Sequence, residues 1–516
     1  MALTADQLPE DGAGRILIHD ATIITVDPED RVMAPGDLVI DGARITYVGP
    51  AGGPDAPHRQ GEFARRIDGR RSIVIPGLVN AHTHTYATLF KGSYERMPLD
   101  LWLVAMRAPT RALDAGLLEL STSLAAVEMA RTGTTTALDH FFGNPELPGA
   151  GIEAEIRAMR RVGVRHAVAT VLMDMSWEDT LPLDPQALAA AKAAADDVTR
   201  RETAQGLEGA AAFIETYHRS HPLTTCLIGP SAAHRCSDAL LRGSRELADR
   251  TGAGIHLHVG EAKSHALRSR EVFGETLVGR LDRLGVLGPD VSMAHGVWLT
   301  DGELDALART GTSIVHNPAS NLKLGSGVAR VREMRRRGVN VAVATDGPCS
   351  SDNLNMFEAL RLAGLLHTSN QVDPEDWPSA REVFRMATID AARAANLDDE
   401  VGSLEAGKRA DLVLLSRDSV AWAAYNDPFV QLVFTENGGS VDRVFVNGAE
   451  VVTGGRVTGL DEYALYREVD AARRFLQPAV DAARATIAPL ADPIGRMGRA
   501  LRDTSVDDMA PEQRYH

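Results

Sequence analysis

Residues 73–84 read Ile-Val-Ile-Pro-Gly-Leu-Val-Asn-Ala-His-Thr-His, an apolar run that ends in two histidines separated by one residue. We interpret residues 73–75 as a buried strand before Pro76, and His82 and His84 as the end of this first strand unit. Alternate residues of a strand face the same side, so both imidazoles can point the same way. A single His-x-His pair is weak evidence for a metal, because two polar residues on a strand explain it equally well.

Seven more apolar runs follow, each succeeded by a stretch of helical composition. These candidate strands are residues 134–139, 166–172, 226–228, 254–258, 291–295, 312–315 and 339–344. Eight β–α units over about 330 residues predict an α/β fold, a closed parallel (β/α)8 barrel of the TIM type. The alternative is an open doubly wound sheet, which predicts a glycine-rich phosphate loop after the first strand, and the sequence has none there.

Both ends of the chain have short β-branched runs between Gly, Pro and Asp turns, a pattern typical of a small β-sandwich. Short sheets need partners to bury a face, so we expect both ends to build one domain. The predicted domains are residues 1–75 and 404–460 for the sandwich, 76–403 for the barrel, and 461–516 for a C-terminal helical extension with a polar tail.

Composition narrows the classes of partner. Lys and Arg total 54 against 70 Asp and Glu, a net charge of −16, which disfavours nucleic acid and anionic membranes as partners. No apolar run is long enough for a transmembrane helix, and the N-terminus lacks a signal pattern. Three cysteines cannot form a disulfide framework and indicate a reducing compartment. We therefore expect a cytoplasmic protein.

Metal-ligand residue types stand at four of the eight predicted strand ends. In barrels of this kind the catalytic groups lie at the carboxyl ends of the strands. Chance placement of all of them there is improbable, so the pattern predicts a metal site. The residues concerned are His82 and His84, His256, His258 and Glu261, His295, and Asp346.

These motifs carry a family resemblance that spans residues 15–455. The chain resembles the amidohydrolase superfamily, in particular its aminohydrolase branch of nucleoside, nucleobase and triazine deaminases and chlorohydrolases. The matching stretches are residues 76–84 (PGLVNAHTH), 256–261 (HLHVGE), 293–296 (MAHG), 316–327 (HNPASNLKLGSG), 344–347 (ATDG) and 402–411 (GSLEAGKRAD). The set is specific for the superfamily and uninformative about the substrate.

The resemblance implies a role for individual residues. His82, His84, His258 and Asp346 match the metal ligands; His258 is preferred to His256 because it precedes an acid by three residues. His295 matches a histidine that acts on the attacking water, together with Asp346. Glu261 matches the acid that protonates a ring nitrogen and shuttles a proton.

One divalent metal ion is expected. Two-metal members of the superfamily bridge their ions with a carboxylated lysine on the fourth strand, and residues 224–237 contain no lysine. Zinc is the first expectation, and Fe(II) also suits imidazole and carboxylate ligands.

The predicted function is metal-dependent hydrolytic deamination of an amino-substituted heterocycle, by a hydrolase of carbon–nitrogen bonds other than peptide bonds. The alternative keeps the site but cleaves another C–N or a C–Cl bond, as in a triazine chlorohydrolase or cyclic amide hydrolase. A scaffold that has lost catalysis is disfavoured, because all ligands are present. We expect a homo-oligomer, either a dimer or a tetramer, with a small-molecule substrate.

Several residues are candidate substrate contacts. Trp102 could stack on a planar ring or pack in the core. His140, His234 and His316 lie near strand ends. Relatives carry a substrate-contacting His where this chain has Ser231, and nucleoside deaminases carry an acid that binds ribose where it has Arg111. Arginine cannot accept a hydrogen bond, so we expect a substrate other than an adenosine-type nucleoside.

Overall fold

The computed structural model describes residues 14–53, 56, 61–142, 148–176, 180, 202–369, 373–502, 504 and 506. The N-terminal residues 1–13 and the predicted polar tail, residues 507–516, lie outside this set. In chain order the strands are β1 (Arg15–Ile24), β2 (Val32–Asp41), β3 (Arg44–Pro50), β4 (Arg65–Asp68), β5 (Ser72–Pro76), β6 (Leu78–Thr83), β7 (Thr134–Phe141), β8 (Arg165–Leu172), β9 (Thr224–Pro230), β10 (Ile255–Val259), β11 (Val291–His295), β12 (Ser313–His316), β13 (Val341–Val343), β14 (Leu412–Ser416), β15 (Val441–Val446), β16 (Ala449–Thr453) and β17 (Arg456–Val457).

The described helices follow the same order. They are α1 (Leu99–Arg111), α2 (Ala115–Arg131), α3 (Pro148–Val162), α4 (Thr203–Tyr217), α5 (Asp238–Thr251), α6 (Lys263–Phe273), α7 (Leu277–Arg283), α8 (Asp301–Thr310), α9 (Pro318–Lys323), α10 (Val331–Arg336), α11 (Met356–Leu366), α12 (Ala380–Met386), α13 (Ile389–Ala394), α14 (Pro428–Phe434), α15 (Glu462–Ile487) and α16 (Ala491–Arg502). Short 3₁₀ turns span Thr85–Phe90, Pro374–Asp376 and Ala488–Leu490. No described helix is both long and apolar enough to cross a membrane.

Strands β6 to β13 form the predicted barrel. They pair side by side in chain order, and every pair is parallel. Helices cover the outside; α5 begins where the Ser237 hydroxyl accepts the Leu240 N–H, and α8 begins in a capping box of Thr300 and Glu303. The prediction of a TIM-type barrel is confirmed.

Strands from both ends of the chain join in one sheet, in the order β17-β16-β15-β14-β5-β1-β2-β3, with β4 against β1. The two ends meet where β14 runs antiparallel to β5, with Leu412 opposite Pro76. Inward side chains of this sheet form their own apolar cluster, which includes Leu38 and Phe445. The predicted small β domain from both chain ends is therefore confirmed, and its nine strands are hydrogen-bonded as a single sheet.

The first barrel strand differs from the prediction. Residues 73–75 lie in β5 and belong to the end sheet, whereas the barrel begins with β6 at Leu78. The chain crosses between the two at Gly77, whose N–H donates to the Asp411 carbonyl at 3.0 Å. A Cβ at Gly77 would lie 2.0 Å from the Thr135 hydroxyl, so only glycine allows this close approach. Two strands separated by one residue read as a single apolar run in the sequence.

Side chains help to close the barrel between its first and last strands. Asn80 donates from Nδ2 to the Thr345 hydroxyl at 2.8 Å, and its Oδ1 accepts the Thr345 N–H at 3.1 Å. Both residues are buried. The Asp346 N–H then donates to the His82 carbonyl at 3.1 Å. This seam holds the end of β6 and the residues that follow β13 together.

The C-terminal extension packs against the barrel mouth. Leu476, Val480 and Ile487 of α15 belong to the same apolar cluster as Leu99 and Trp102 of α1. The extension therefore supports the helix that carries Trp102.

Candidate active site

Histidines and an aspartate from four strand ends converge at the barrel mouth. The Nε2 atoms of His82 and His84 lie 3.5 and 3.4 Å from Asp346 Oδ1. His258 Nε2 lies 3.3 Å from His84 Nε2. His295 joins them, since its ligand atom lies within 4.8 Å of those of His82 and His258. The structure thus brings together every metal-ligand candidate that the sequence predicted.

Hydrogen bonds at Nδ1 orient these imidazoles. His84 Nδ1 donates to the His140 carbonyl at 2.7 Å, and His258 Nδ1 donates to the Ser231 carbonyl at 2.6 Å. His295 Nδ1 lies 2.9 Å from Asn321 Oδ1, which can only accept. Each ring therefore carries its proton on Nδ1 and turns an Nε2 lone pair toward the centre, the state that metal binding requires.

His82 is oriented through a neighbouring histidine. Its Nδ1 lies 2.8 Å from His256 Nε2, and His256 Nδ1 lies 2.7 Å from the Ser292 hydroxyl. If each ring donates in turn, His82 also keeps a free lone pair on Nε2. His256 therefore supports the site from behind, since both its ring nitrogens are engaged and it is not among the clustered ligand atoms.

Asp346 and His295 adopt a strained backbone conformation, with φ of 61° and 76°. Left-handed geometry at a non-glycine residue is costly and clusters at functional sites. Burial would raise the pKa of the Asp346 carboxyl, but the adjacent imidazoles of His82 and His84 hold it well below its usual range. Asp346 is therefore ionised at neutral pH and able to bind a cation.

Glu261 lies at the edge of this cluster, with a carboxylate oxygen within 4.8 Å of the ligand atoms of His295 and Asp346. Its Oε1 lies 3.7 Å from His295 Nε2, and the side chain is buried in the cavity wall. Burial is the largest effect on this carboxyl and raises its pKa. A carboxyl that holds its proton more tightly than usual is suited to give a proton to a substrate and to take it back.

The residues present fit a divalent metal ion. His82 Nε2 is buried and has no hydrogen-bond partner among the described residues. Burial lowers the pKa of His82 to about 3 and that of His258 well below its usual value, so both rings are neutral and able to bind a cation. Imidazole nitrogen and carboxylate oxygen are common ligands of zinc and of Fe(II).

A second buried cluster supports the segment that follows His84. Asp139 Oδ2 accepts the Thr85 N–H at 2.8 Å. Behind Asp139, Glu155 Oε1 lies 2.8 Å from His166 Nε2, and all three side chains are buried. Burial is the largest effect on both acids and raises the pKa of Asp139 to about 8 and that of Glu155 well above its usual range.

The metal-ligand cluster opens into a cavity of about 510 Å³, counted with its mouth to solvent. Apolar and aromatic side chains form much of its wall, as is usual for small-molecule sites. The lining residues include Tyr86, Leu99, Trp102, Leu103, Phe142 and Leu324, together with His234, Arg235 and Ser350. Trp102 and His234 are therefore placed where the sequence interpretation proposed substrate contacts.

The other proposed contacts lie off the cavity wall. His140 packs beneath the ligands, where its carbonyl holds His84. His316 is buried against His367 with a ring separation of 5.3 Å. Ser231 contributes its carbonyl to His258, and Arg111, the last residue of α1, is not among the lining residues.

Two residues at the site have no role in the sequence interpretation. Asn321, which orients His295, lies within the quoted 316–327 motif but was given no role. Arg235 lies in the stretch 231–237, Ser-Ala-Ala-His-Arg-Cys-Ser, directly after the fourth barrel strand. Its position after a strand end was the available signal, since barrel sites are built from those loops.

The geometry agrees with comparisons to known proteins. The profile of the Amidohydrolase family matches residues 73–451, which is most of the chain. The chain belongs to this family. Among its amidohydrolase relatives is the 5′-deoxyadenosine deaminase of Methanosarcina barkeri, 34% identical over 90% of this chain and 99% of the relative. The 5-methylthioadenosine/S-adenosylhomocysteine deaminase of Moorella thermoacetica is also 34% identical, over 88% and 98%.

Solved amidohydrolases share the fold closely. The atrazine chlorohydrolase TrzN from Arthrobacter aurescens TC1, complexed with zinc, has a TM-score of 0.80 at 28% identity and covers 89% of this chain and 100% of its own. An adenosine deaminase from Xanthomonas campestris with bound zinc has a TM-score of 0.79 at 26% identity, over 91% and 99%. The resemblance to the aminohydrolase branch is thereby confirmed.

The position of Arg111 weakens the expectation about the substrate. That expectation rested on Ser231, where relatives carry a substrate-contacting histidine, and on Arg111, where nucleoside deaminases carry an acid that binds ribose. Arg111 is not on the cavity wall, and the relatives at 34% identity are named for adenosine-type substrates. The argument from Arg111 therefore loses its structural basis.

Proposed function

We propose that the chain is a zinc-dependent hydrolytic deaminase that removes an amino group from a purine-like heterocycle. The chain is a hydrolase of carbon–nitrogen bonds other than peptide bonds. The observation that carries the proposal is the convergence of four ligand side chains with a buried acid, Glu261, in one cavity. The two relatives at 34% identity, both named as deaminases of adenosine-type compounds, support it.

His82, His84, His258 and Asp346 would hold a single ion. When bound, a divalent ion in such a site supplies Lewis acidity that activates water near neutral pH. Hydrolytic deamination adds one water across the C–N bond and releases ammonia. His295 faces the reacting centre with Nε2 and, with Asp346, accepts the proton of the attacking water. Glu261 gives a proton to the ring nitrogen, and the proton taken from the water passes to the amine, which leaves as ammonia.

The test is an ammonia-release assay on purified protein loaded with zinc. We expect turnover of at least one member of a panel of adenosine, 5′-deoxyadenosine, 5′-methylthioadenosine, free aminopurines, pterins and aminotriazines. Chelation should abolish turnover, and added zinc should restore it. Activity that survives complete metal removal would contradict the proposal.

Elemental analysis tests the number of ions. One metal per chain is expected, because the family's bridging lysine is absent from residues 224–237. Two metals per chain would contradict this, and the cluster of Asp139, Glu155 and His166 would then be the first place to look for the second.

A chlorohydrolase is the second candidate, favoured by the likeness to TrzN. The site permits it, since water attack on an electrophilic ring carbon is common to both reactions. Measuring chloride against ammonia release from chloro- and amino-triazines separates the two.

The cellular setting stays a proposal. All three cysteines are buried and free, which supports a reducing compartment such as the cytoplasm. A homo-oligomer, either a dimer or a tetramer, is also proposed, and light scattering tests it.

A further inference from the structure

Two adjacent polar side chains on the cavity wall lack hydrogen-bond partners. His234 and Arg235 follow β9, and only 2% and 7% of their surfaces are exposed. Both line the cavity that contains Glu261. Both ring nitrogens of His234 and the Nε of Arg235 are buried and have no hydrogen-bond partner among the described residues. Donors left unpaired beside an open cavity are available to a ligand.

The unpaired state of Arg235 is costly for the folded protein. Burial is the largest effect on its guanidinium and lowers its pKa, while Glu261 and Asp100 oppose that effect from a distance. Neither acid forms an ion pair with Arg235 within the described residues. Asp100 is engaged by the Ser264 hydroxyl at 3.2 Å, and Glu261 lies beside His295. A buried charge without a partner destabilises a fold, so its presence calls for a function.

The other buried arginines of the described residues, Arg165, Arg280 and Arg330, each form an ion pair with an aspartate. Arg165 forms two hydrogen bonds with the Asp411 carboxylate, at 2.9 and 3.1 Å. Arg280 donates to the carbonyls of Ala233 and Cys236, at 2.7 and 2.9 Å. Arg280 thereby anchors the loop that carries Arg235. The guanidinium of Arg235 is thus held on a fixed support and differs from its counterparts by facing the cavity without a counter-charge.

We propose that Arg235, with His234 beside it, is the specificity-determining contact for a negatively polarised oxygen of the substrate, either a ring carbonyl or a carboxylate. The inference rests on the proposed deaminase function and names the substrate class for that same cavity. A guanidinium presents five donors in a planar fork that matches such oxygens, and it accepts no hydrogen bond. A substrate that lacks the oxygen leaves the guanidinium buried and unpaired, and is disfavoured for that reason.

Matched pairs of probes test this contact on the zinc-loaded protein. One pair is 2-oxoadenine and adenine, which differ by a ring carbonyl. The other is S-adenosylhomocysteine and 5′-methylthioadenosine, of which only the first carries a carboxylate. For each probe, kcat/KM is measured by ammonia release and the dissociation constant by calorimetry, in the native protein, in Arg235→Met and in the matched control Arg111→Met.

The native protein should prefer the oxygen-bearing member of one pair, and the pair that shows the preference identifies the oxygen. Arg235→Met should lose about 10–150-fold of that preference, the range for a hydrogen bond to a charged group. Arg111→Met should keep it. Arg235→Met should also be at least as stable toward urea as the native protein, because it removes a buried unpaired charge.

Three outcomes would overturn the inference: no preference in either pair, a preference that survives in Arg235→Met, or a marked loss of stability in that variant. Calorimetry separates this inference from the proposed function. A preference in binding that depends on Arg235, without ammonia release from any probe, would support the contact and contradict the deaminase.

Discussion

Glu261 is the residue that we propose for the proton transfers. Its carboxyl has a pKa raised by burial and lies 3.7 Å from His295 Nε2, outside the set of ligand atoms around His82, His84 and Asp346. Glu261→Gln keeps the shape but cannot exchange a proton. We expect the variant to bind metal normally and to lose about 10²–10⁴ in kcat, the usual contribution of a general acid–base group.

Metal content and kcat are measured on the same preparation of that variant. Near-native turnover would show that another residue carries the protons. Loss of the metal would show that Glu261 is a ligand.

At the residue scale, sequence reasoning succeeds where a role is tied to a local motif. His82, His84 and Asp346 each sit in a short stretch at a strand end, so their grouping follows once the barrel is predicted. The hydrogen bond from His82 to His256 joins strands that are far apart in the chain, and the missing partner of Arg235 is visible only when all neighbours are known. No pattern in a single sequence encodes the absence of a contact.

At the element scale, the seam between β6 and the residues after β13 determines how well the site is held. Asn80→Ala removes both hydrogen bonds to Thr345 and leaves the Thr345 N–H buried without a partner. We expect a loss of about 1–3 kcal/mol in the free energy of unfolding, measured in urea. Because His82 and Asp346 flank the seam, the variant should also release zinc more readily.

Asn426→Ala is the matched control, since the Asn426 side chain is exposed. It should change the free energy of unfolding by less than about 0.5 kcal/mol. Equal stability of the two variants would mean that the seam is held by the backbone alone.

The error at the first strand also belongs to this scale. Residues 73–75 and residues 78–79 are apolar, and only Pro76 and Gly77 stand between them, without any polar break. A strand that ends one sheet and a strand that begins another therefore look continuous. This error does not affect the prediction that His82 and His84 lie at a strand end, because that prediction depends only on where the strand stops.

At the scale of the whole molecule, buried histidines set the pH dependence of stability. Burial lowers the pKa of His166 and His367 to about 4. It also lowers the pKa values of His82 and His258 at the metal-ligand cluster. The unfolded chain takes up these protons near pH 6.5 but the folded chain does not, so stability falls as the pH drops from about 6.5 to about 4. Asp139, with a pKa of about 8, acts in the opposite sense, since it holds its proton only in the folded state.

Among the described residues, the histidines with a lowered pKa outnumber the acids with a raised pKa. The loss of stability at low pH therefore dominates. We expect the urea midpoint of the metal-free protein to fall between about pH 6.5 and about pH 4.5. His367→Leu removes one such ring away from the metal cluster and should make the fall less steep. A flat or inverted profile would contradict the assignment of neutral buried histidines.

The barrel was predictable because its strands and helices alternate regularly along the chain and pair in that same order. For the domain built from both chain ends, the sequence predicts only that both ends are rich in β-strands. It does not predict which strands pair, because the paired residues are far apart in the chain. The order of its nine strands, and their union in a single sheet, could not be read from local patterns.

The pairing of β5 with β14 has a consequence for the chain's synthesis. Pro76 lies opposite Leu412, so the ribosome adds about 340 residues between the two partners, which takes on the order of tens of seconds at ordinary elongation rates. The barrel strands can pair in the order in which they emerge, but β5 waits with an open edge until nearly the whole chain is made. An open strand edge can pair with a neighbouring nascent chain. We therefore expect a chaperone that covers the edge of β5 during synthesis to reduce aggregation.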